Sequence, residues 1–198
     1  VKTTDTCILG IGFSEIFPFV FKMDLTCNRI NYKFFEQNGF VHHLEAKDNC
    51  YHIYSSFFQK ERDNAGQIIT LDTSLNILSV RQLPGNLYFV SDAIELNKKD
   101  LIIAGRYHVS QSDPVDMKLG IILLDSVYNL KYENYIGNPG EMDYPGGFGS
   151  MVFREENSIY FAGYLNNCQY TTYFQTTYNH LVLNKLDTTL NQKKKKKY

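Results

Sequence analysis

The chain has 198 residues, 43% hydrophobic and 21% charged, with 15 Tyr, 14 Phe and no Trp. That composition excludes a disordered chain and favours strands, because aromatic and β-branched residues fit a pleated, half-buried surface. A formal net charge of −1 gives the body of the protein no electrostatic footprint for nucleic acid, and no apolar run is long enough for a membrane-spanning helix.

In chain order, the first expected strand lies near 7–12 and the second ends at Asp24. A third follows Asn28. This first unit, 1–38, lacks a leading strand, so a three-stranded sheet with an unpaired inner edge is expected unless another chain or a missing segment supplies a strand. The second unit, 39–86, has strands near 40–46 and 51–57, a third ending at Asp72 and a fourth after Asn76. The third, 87–139, repeats this order near 90–96 and 101–107, then to Asp125 and from Asn129. The fourth, 140–198, has strands near 148–153 and 159–165, a third ending at Asp187, and a fourth that begins after Asn191 and runs into Lys193–Lys197. Those lysines read as a solvated edge, since lysine on an outer strand discourages sheet-to-sheet pairing.

Two segments recur. One is an apolar strand closed by Asp, three residues and Asn, in FVFKMDLTCN, QIITLDTSLN, IILLDSVYN and LVLNKLDTTLN. An Asp carboxylate at a strand end hydrogen-bonds backbone N–H groups two residues on, and Asn tolerates the left-handed conformation such turns require. Asn is therefore expected at the left-handed position. Two oxygens per turn fall far short of a calcium site. The other segment ends in a small pair, Tyr54-Ser55, Ala104-Gly105 or Ala162-Gly163, where neighbouring backbone approaches closely. A four-stranded meander repeated four times predicts an all-β chain, a β-propeller or an open arc of one, in a single domain.

At IITLDTSLN, GIILLDSVYN and LNKLDTTLN, with IIAG and YFAG before them, the chain resembles secreted β-propeller-repeat proteins of Bacteroidota. The resemblance implies export, often by way of a C-terminal sorting domain, and a secreted or cell-surface location. The Trp that often follows the Asn in that family is absent here. The sequence begins at Val1, which reads as a processed start or a fragment end, and further blades from a longer chain are an expected partner.

Length variation gathers in segments 57–66, 107–118, 165–179 and 137–149, all on one side of the meander, and insertions on one side mark a binding face. LNNCQYTTYFQTTYN and GNPGEMDYPGGFG place Tyr144, Tyr170, Tyr173 and Phe174 near Asn167 and Asp143. Aromatic faces beside amides and a carboxylate suit a glycan or a protein ligand. The expected activity is a non-catalytic extracellular binding or scaffold module. The alternative is a glycan-active enzyme using Asp113, Asp116, Glu141 or Asp143 on the same side. No Ser-nucleophile, zinc-protease, phosphate-loop or dinucleotide motif is present, so no catalytic residue and no cofactor is assigned. The four cysteines form no C-x-x-C pair and no metal is expected. A turn at 46–49 pairing Glu45 with Cys50 would set His43 opposite His52, half of a metal site without a third ligand.

Overall fold

The structure is a computed structural model that describes residues 2–3, 7–14, 17–37, 39–59, 62–96, 100–108, 117–136, 143–144, 151–155, 158–171, 174–187 and 192–197. The described residues form an all-β chain with no helix, arranged as four antiparallel sheets. Two compact units divide it, Val1–Leu83 and Pro84–Tyr198, each holding two sheets.

In the first unit, one sheet runs in the order β1 (Lys2–Thr3), β2 (Ile8–Ser14), β3 (Phe17–Met23) and β4 (Arg29–Phe34). The expected three-stranded first sheet is therefore corrected. The short strand β1 supplies the fourth position, Thr3 pairing with Ile8 and Lys2 with Leu9. This satisfies backbone groups that an open edge would leave to solvent. The second sheet runs β5 (Gly39–Lys47), β6 (Cys50–Gln59), β7 (Arg62–Leu71) and β8 (Ile77–Gln82). Leu9 and Val20 of the first sheet and Ile53, Ile69 and Leu71 of the second are fully or almost fully buried in one shared core.

The second unit repeats the plan. Its first sheet contains β9 (Leu87–Leu96), β10 (Asp100–His108), β11 (Met117–Leu124) and β12 (Leu130–Ile136). In its second sheet the leading strand is split into β13 (Asp143–Tyr144) and β14 (Met151–Glu155). Both pair with β15 (Ser158–Thr171), which is followed by β16 (Phe174–Asp187) and β17 (Gln192–Lys197). The lysine strand β17 pairs with β16 of its own sheet. The core of this unit joins Ile102, Ala104, Ile121 and Leu123 to Val152, Ile159, Phe161 and Leu186.

The repeated Asp and Asn bracket the turn between the third and fourth strands wherever that turn is described; the turn after Asp187 lies outside the described residues. In the second sheet, Asp72 Oδ1 accepts from the N–H groups of Ser74 and Asn76, both at 2.8 Å. The Asn76 amide donates to Asp72 Oδ2 at 2.9 Å, and the Leu75 N–H donates to the Asp72 carbonyl at 3.0 Å. The same set recurs at Asp24/Asn28 and Asp125/Asn129. This is a three-residue hairpin loop whose last residue is left-handed and adjoins a bulge.

The left-handed residue is not the Asn. It is the residue before it: Cys27 at φ 66°, Leu75 at φ 66° and Tyr128 at φ 64°. Each Asn instead spends its backbone N–H and its side-chain amide on the Asp carboxylate, so replacing Asn76 by Val removes the one side-chain hydrogen bond without introducing the expected backbone strain.

Those hydrogen bonds hold the carboxyls below the ordinary value of 3.8. Asp24 is lowered to about 2, chiefly by the Thr26 hydroxyl and then by the Asn28 N–H. Asp72 and Asp125 are lowered too, first by the Asn76 side chain and the Asn129 N–H respectively. A depressed folded pKa means stability that is complete above the unfolded value and lost as pH falls through the folded one. Carboxyl titration by NMR is expected to give Asp24 a midpoint near 2, moving towards 3.8 in Thr26→Ala, with the hairpin loosening over that interval. An Asp24 midpoint at 3.8 in the unaltered protein would contradict the hydrogen-bond geometry.

Candidate functional site

Segment 165–179, expected as a loop, is mostly strand. β15 and β16 pair without interruption from Ser158↔Asp187 to Thr171↔Phe174. The segment has many Thr and Tyr residues and neither Gly nor Pro between 164 and 181, so the backbone satisfies its polar groups by extending the ladder. Segment 57–66 behaves in the same way, with β6 reaching Gln59 and β7 starting at Arg62.

The ladder brings part of the expected site together. Asp143 pairs with Asn167 and Tyr144 with Asn166, while Asn167 is also opposite Tyr178. Asp143, Asn167 and Tyr178 thus form one row across three strands. Tyr170 lies opposite Gln175, and Thr171 opposite Phe174. Because successive strand residues alternate between faces, register positions 143, 167 and 174 share one face, and 144 and 170 share the other. Tyr173, Asp113, Asp116 and Glu141 lie outside the described residues.

The histidine pair requires a correction. The turn is tighter than expected, with Lys47 opposite Cys50 and both Asp48 (φ 51°) and Asn49 (φ 60°) left-handed. Two consecutive left-handed residues make the hairpin turn whose twist matches that of the strands, and Asp and Asn tolerate it. His52 then sits opposite Glu45 and His43 opposite Tyr54, whose ring is 5.5 Å away. His52 Nδ1 is 3.5 Å from the Thr70 hydroxyl. Among the described residues no group of three or more His, Cys, Asp or Glu is placed to hold a metal ion.

Two aromatic groupings escaped the sequence reading. On the first sheet Phe19 and Phe34 are opposite each other with ring centroids 5.2 Å apart, and Tyr32 meets Phe34 edge-on at 5.4 Å. The Arg29 guanidinium lies 4.9 Å from the Tyr32 centroid. Gly10 and Gly12 leave the room that the Phe21 and Phe19 rings fill across the strand pair. The signal was there, in aromatics two apart at 17, 19 and 21 and at 32 and 34.

In the second unit Tyr107 stacks on Tyr135 at 5.4 Å over the space left by Gly120. The Asn86 amide donates to its hydroxyl at 3.3 Å, and the Asn86 N–H donates to Glu133 Oε2 at 3.4 Å. Burial pushes the Tyr107 hydroxyl up, against the Asn86 hydrogen bond and with the help of the Glu133 carboxylate. A phenol held in its neutral form beside a carboxylate fixes local packing here.

No family model and no curated protein sequence matches the chain. Among solved structures, it is similar to a subtype N10 neuraminidase-like protein of A/little yellow-shouldered bat/Guatemala/060/2010, with a TM-score of 0.50 and 10% identity over 96% of this chain and 62% of that one. It also aligns with cobalt-substituted Synechocystis ACO at a TM-score of 0.46 and 11% identity, over 97% of this chain and 46% of that one. The first likeness shows the fold: the four sheets are those of a β-propeller. The chain spans about three fifths of the length of the neuraminidase-like protein.

Proposed function

We propose that the chain is a non-catalytic extracellular binding or scaffold module that engages a glycan or protein ligand through the long β15–β16 hairpin and the short strand β13 beside it. The observation that carries this reading is the row formed by Asp143, Asn167 and Tyr178, residues from three strands set side by side. A carboxylate, an amide and a phenol in one row supply the hydrogen-bonding groups that fix ligand orientation. Phe174, on the same face as that row by the register, adds aromatic surface at small conformational cost, since such a side chain has only two torsions. The secretion implied by the family resemblance fits a ligand met outside the cell.

Chemical-shift mapping with candidate glycans and partner proteins tests it. Perturbations are expected at 143–144 and 165–178, with Phe174→Ala weakening the interaction about tenfold or more. Perturbations confined to 46–49, 97–100 and 154–157 would place the ligand elsewhere. Product release from a glycan, abolished by Asp143→Asn, would replace this reading with the enzymatic one.

A further inference from the structure

β8 lies inside the chain, with β7 before it and β9 after it, and forms the outer edge of the second sheet. All six of its residues are exposed. Val80 is opposite Ile69, which is buried in the core shared with the first sheet. By strand alternation, Val80 and Leu78 are therefore on the core side of β8. Yet they are 54% and 57% exposed. The first sheet is fastened close by. The Asn31 side-chain amide donates to the Ser74 carbonyl at 2.7 Å and Lys22 Nζ to the Thr73 carbonyl at 3.2 Å, both in the turn that leads into β8. The two sheets are joined at this turn and leave Leu78 and Val80 uncovered beyond it.

Charged residues on an outer strand keep its edge from pairing with other strands. β4 and β12 carry two each, whereas β8, ILSVRQ, carries Arg81 alone. The sign of the charge is also one-sided. β4 and β8 contain Arg29, Lys33 and Arg81 and no Asp or Glu. Lys33 is opposite the buried Val20, which puts it on the side of the first sheet that faces the second.

We propose that the outer edge of β8 is a docking site for an extended peptide that alternates apolar and acidic residues and joins the second sheet as a fifth strand. Among the described residues this edge has no partner strand. In such strand addition, backbone hydrogen bonds supply affinity and alternate side chains supply specificity. The apolar side chains of the peptide, on the core side, cover Leu78 and Val80. Its carboxylates lie on the other side beside Ser79 and Arg81, where an opposite charge is a favourable cross-strand partner. Charge selects an acidic peptide over a second copy, which would bring cationic outer strands against one another. Size points the same way. A six-residue edge is about 20 Å long at 3.4 Å per residue, and one strand's width of contact falls well below the roughly 800 Å² per partner that stable complexes of folded proteins bury. The site is in the first unit and does not rest on the ligand proposed for the β15–β16 hairpin.

An NMR titration of the 198-residue chain with the acetylated and amidated hexapeptide Val-Glu-Val-Glu-Val-Glu tests it. Shift changes are expected at 77–82, with the corresponding Val-Lys peptide binding at least about tenfold more weakly. Arg81→Glu is expected to reverse that preference, which a misfolded variant would not do. Leu78→Thr with Val80→Thr should weaken the binding of the Val-Glu peptide while the spectrum of the folded chain stays dispersed. No binding at millimolar peptide, equal binding of the two peptides, or shift changes confined to other strands would overturn the proposal. A concentration-dependent dimer abolished by Leu78→Thr would also overturn it, by assigning the edge to a second copy. None of these variants touches the β15–β16 hairpin, so failure here is distinguishable from failure of the proposed function.

Discussion

Gly105→Ala is expected to destabilise the second unit by about 3 kcal/mol, at the upper end of what overpacking costs. Gly105 lies opposite Val90, where the β9–β10 register shifts between Ala104 and Gly105. A methyl group there would run into the backbone carbonyl of Phe89. A carbonyl within a ladder cannot swing aside as a ring can, so relief requires the two strands to separate at the bulge. Ile102, Ile103 and Ala104, all fully buried just before it, would lose close packing with that movement. The contrast is Gly10→Ala, where the added methyl meets only the Phe21 ring. That ring is on the partly exposed side of the first sheet and can rotate out, so the effect should be clearly smaller. Gly120→Ala, which meets Tyr107 at its Cβ and ring, should fall between them. Urea unfolding of the three variants gives the order directly. A Gly105→Ala protein as stable as the parent would show that the bulge can relax without cost.

How much of this was legible depended on whether side-chain chemistry or backbone geometry decided the element. The Asp-to-Asn spacing could be read, because an Asp carboxylate accepting from backbone N–H groups and an Asn amide make the hydrogen bonds that close the turn. The left-handed residue inside it could not, since Cys27, Leu75 and Tyr128 share no property that marks the conformation. The surrounding hydrogen bonds impose it on whatever stands there. Asp48-Asn49 was a readable signal for a two-residue turn, and placing the turn over four residues set His52 opposite His43 instead of Glu45. For the candidate site, the sequence put Asp143 and Asn167 in one neighbourhood, and the ladder makes them direct partners. It did not reveal that the segment around Asn167 is strand. Tyr, Thr, Asn and Gln serve loops and two-sided exposed strands equally well, and only pairing decides between them.

The left-handed position yields a sharper test, because one substitution should act with opposite sign in two copies of the same turn. A non-glycine residue held there carries about 1–2 kcal/mol of steric strain, which glycine removes. Cys27 is exposed at φ 66°, with little packing to lose. Cys27→Gly is therefore expected to stabilise the protein by about 1 kcal/mol, less the entropy of a more flexible unfolded chain. Leu75 has the same φ of 66° but is 2% exposed and belongs to the core with Ile53, Ile69 and Leu71. Removing a buried leucine side chain costs about 2–5 kcal/mol, more than the strain it relieves. Leu75→Gly should thus destabilise by a net of about 2–3 kcal/mol. Leu75→Ala keeps both the strain and the lost packing, so it should be worse than Leu75→Gly, the reverse of the usual order of alanine and glycine. That inversion is the decisive measurement. If alanine at 75 proves more stable than glycine, the backbone there is not left-handed, and the shared turn geometry inferred for Cys27 and Tyr128 fails with it.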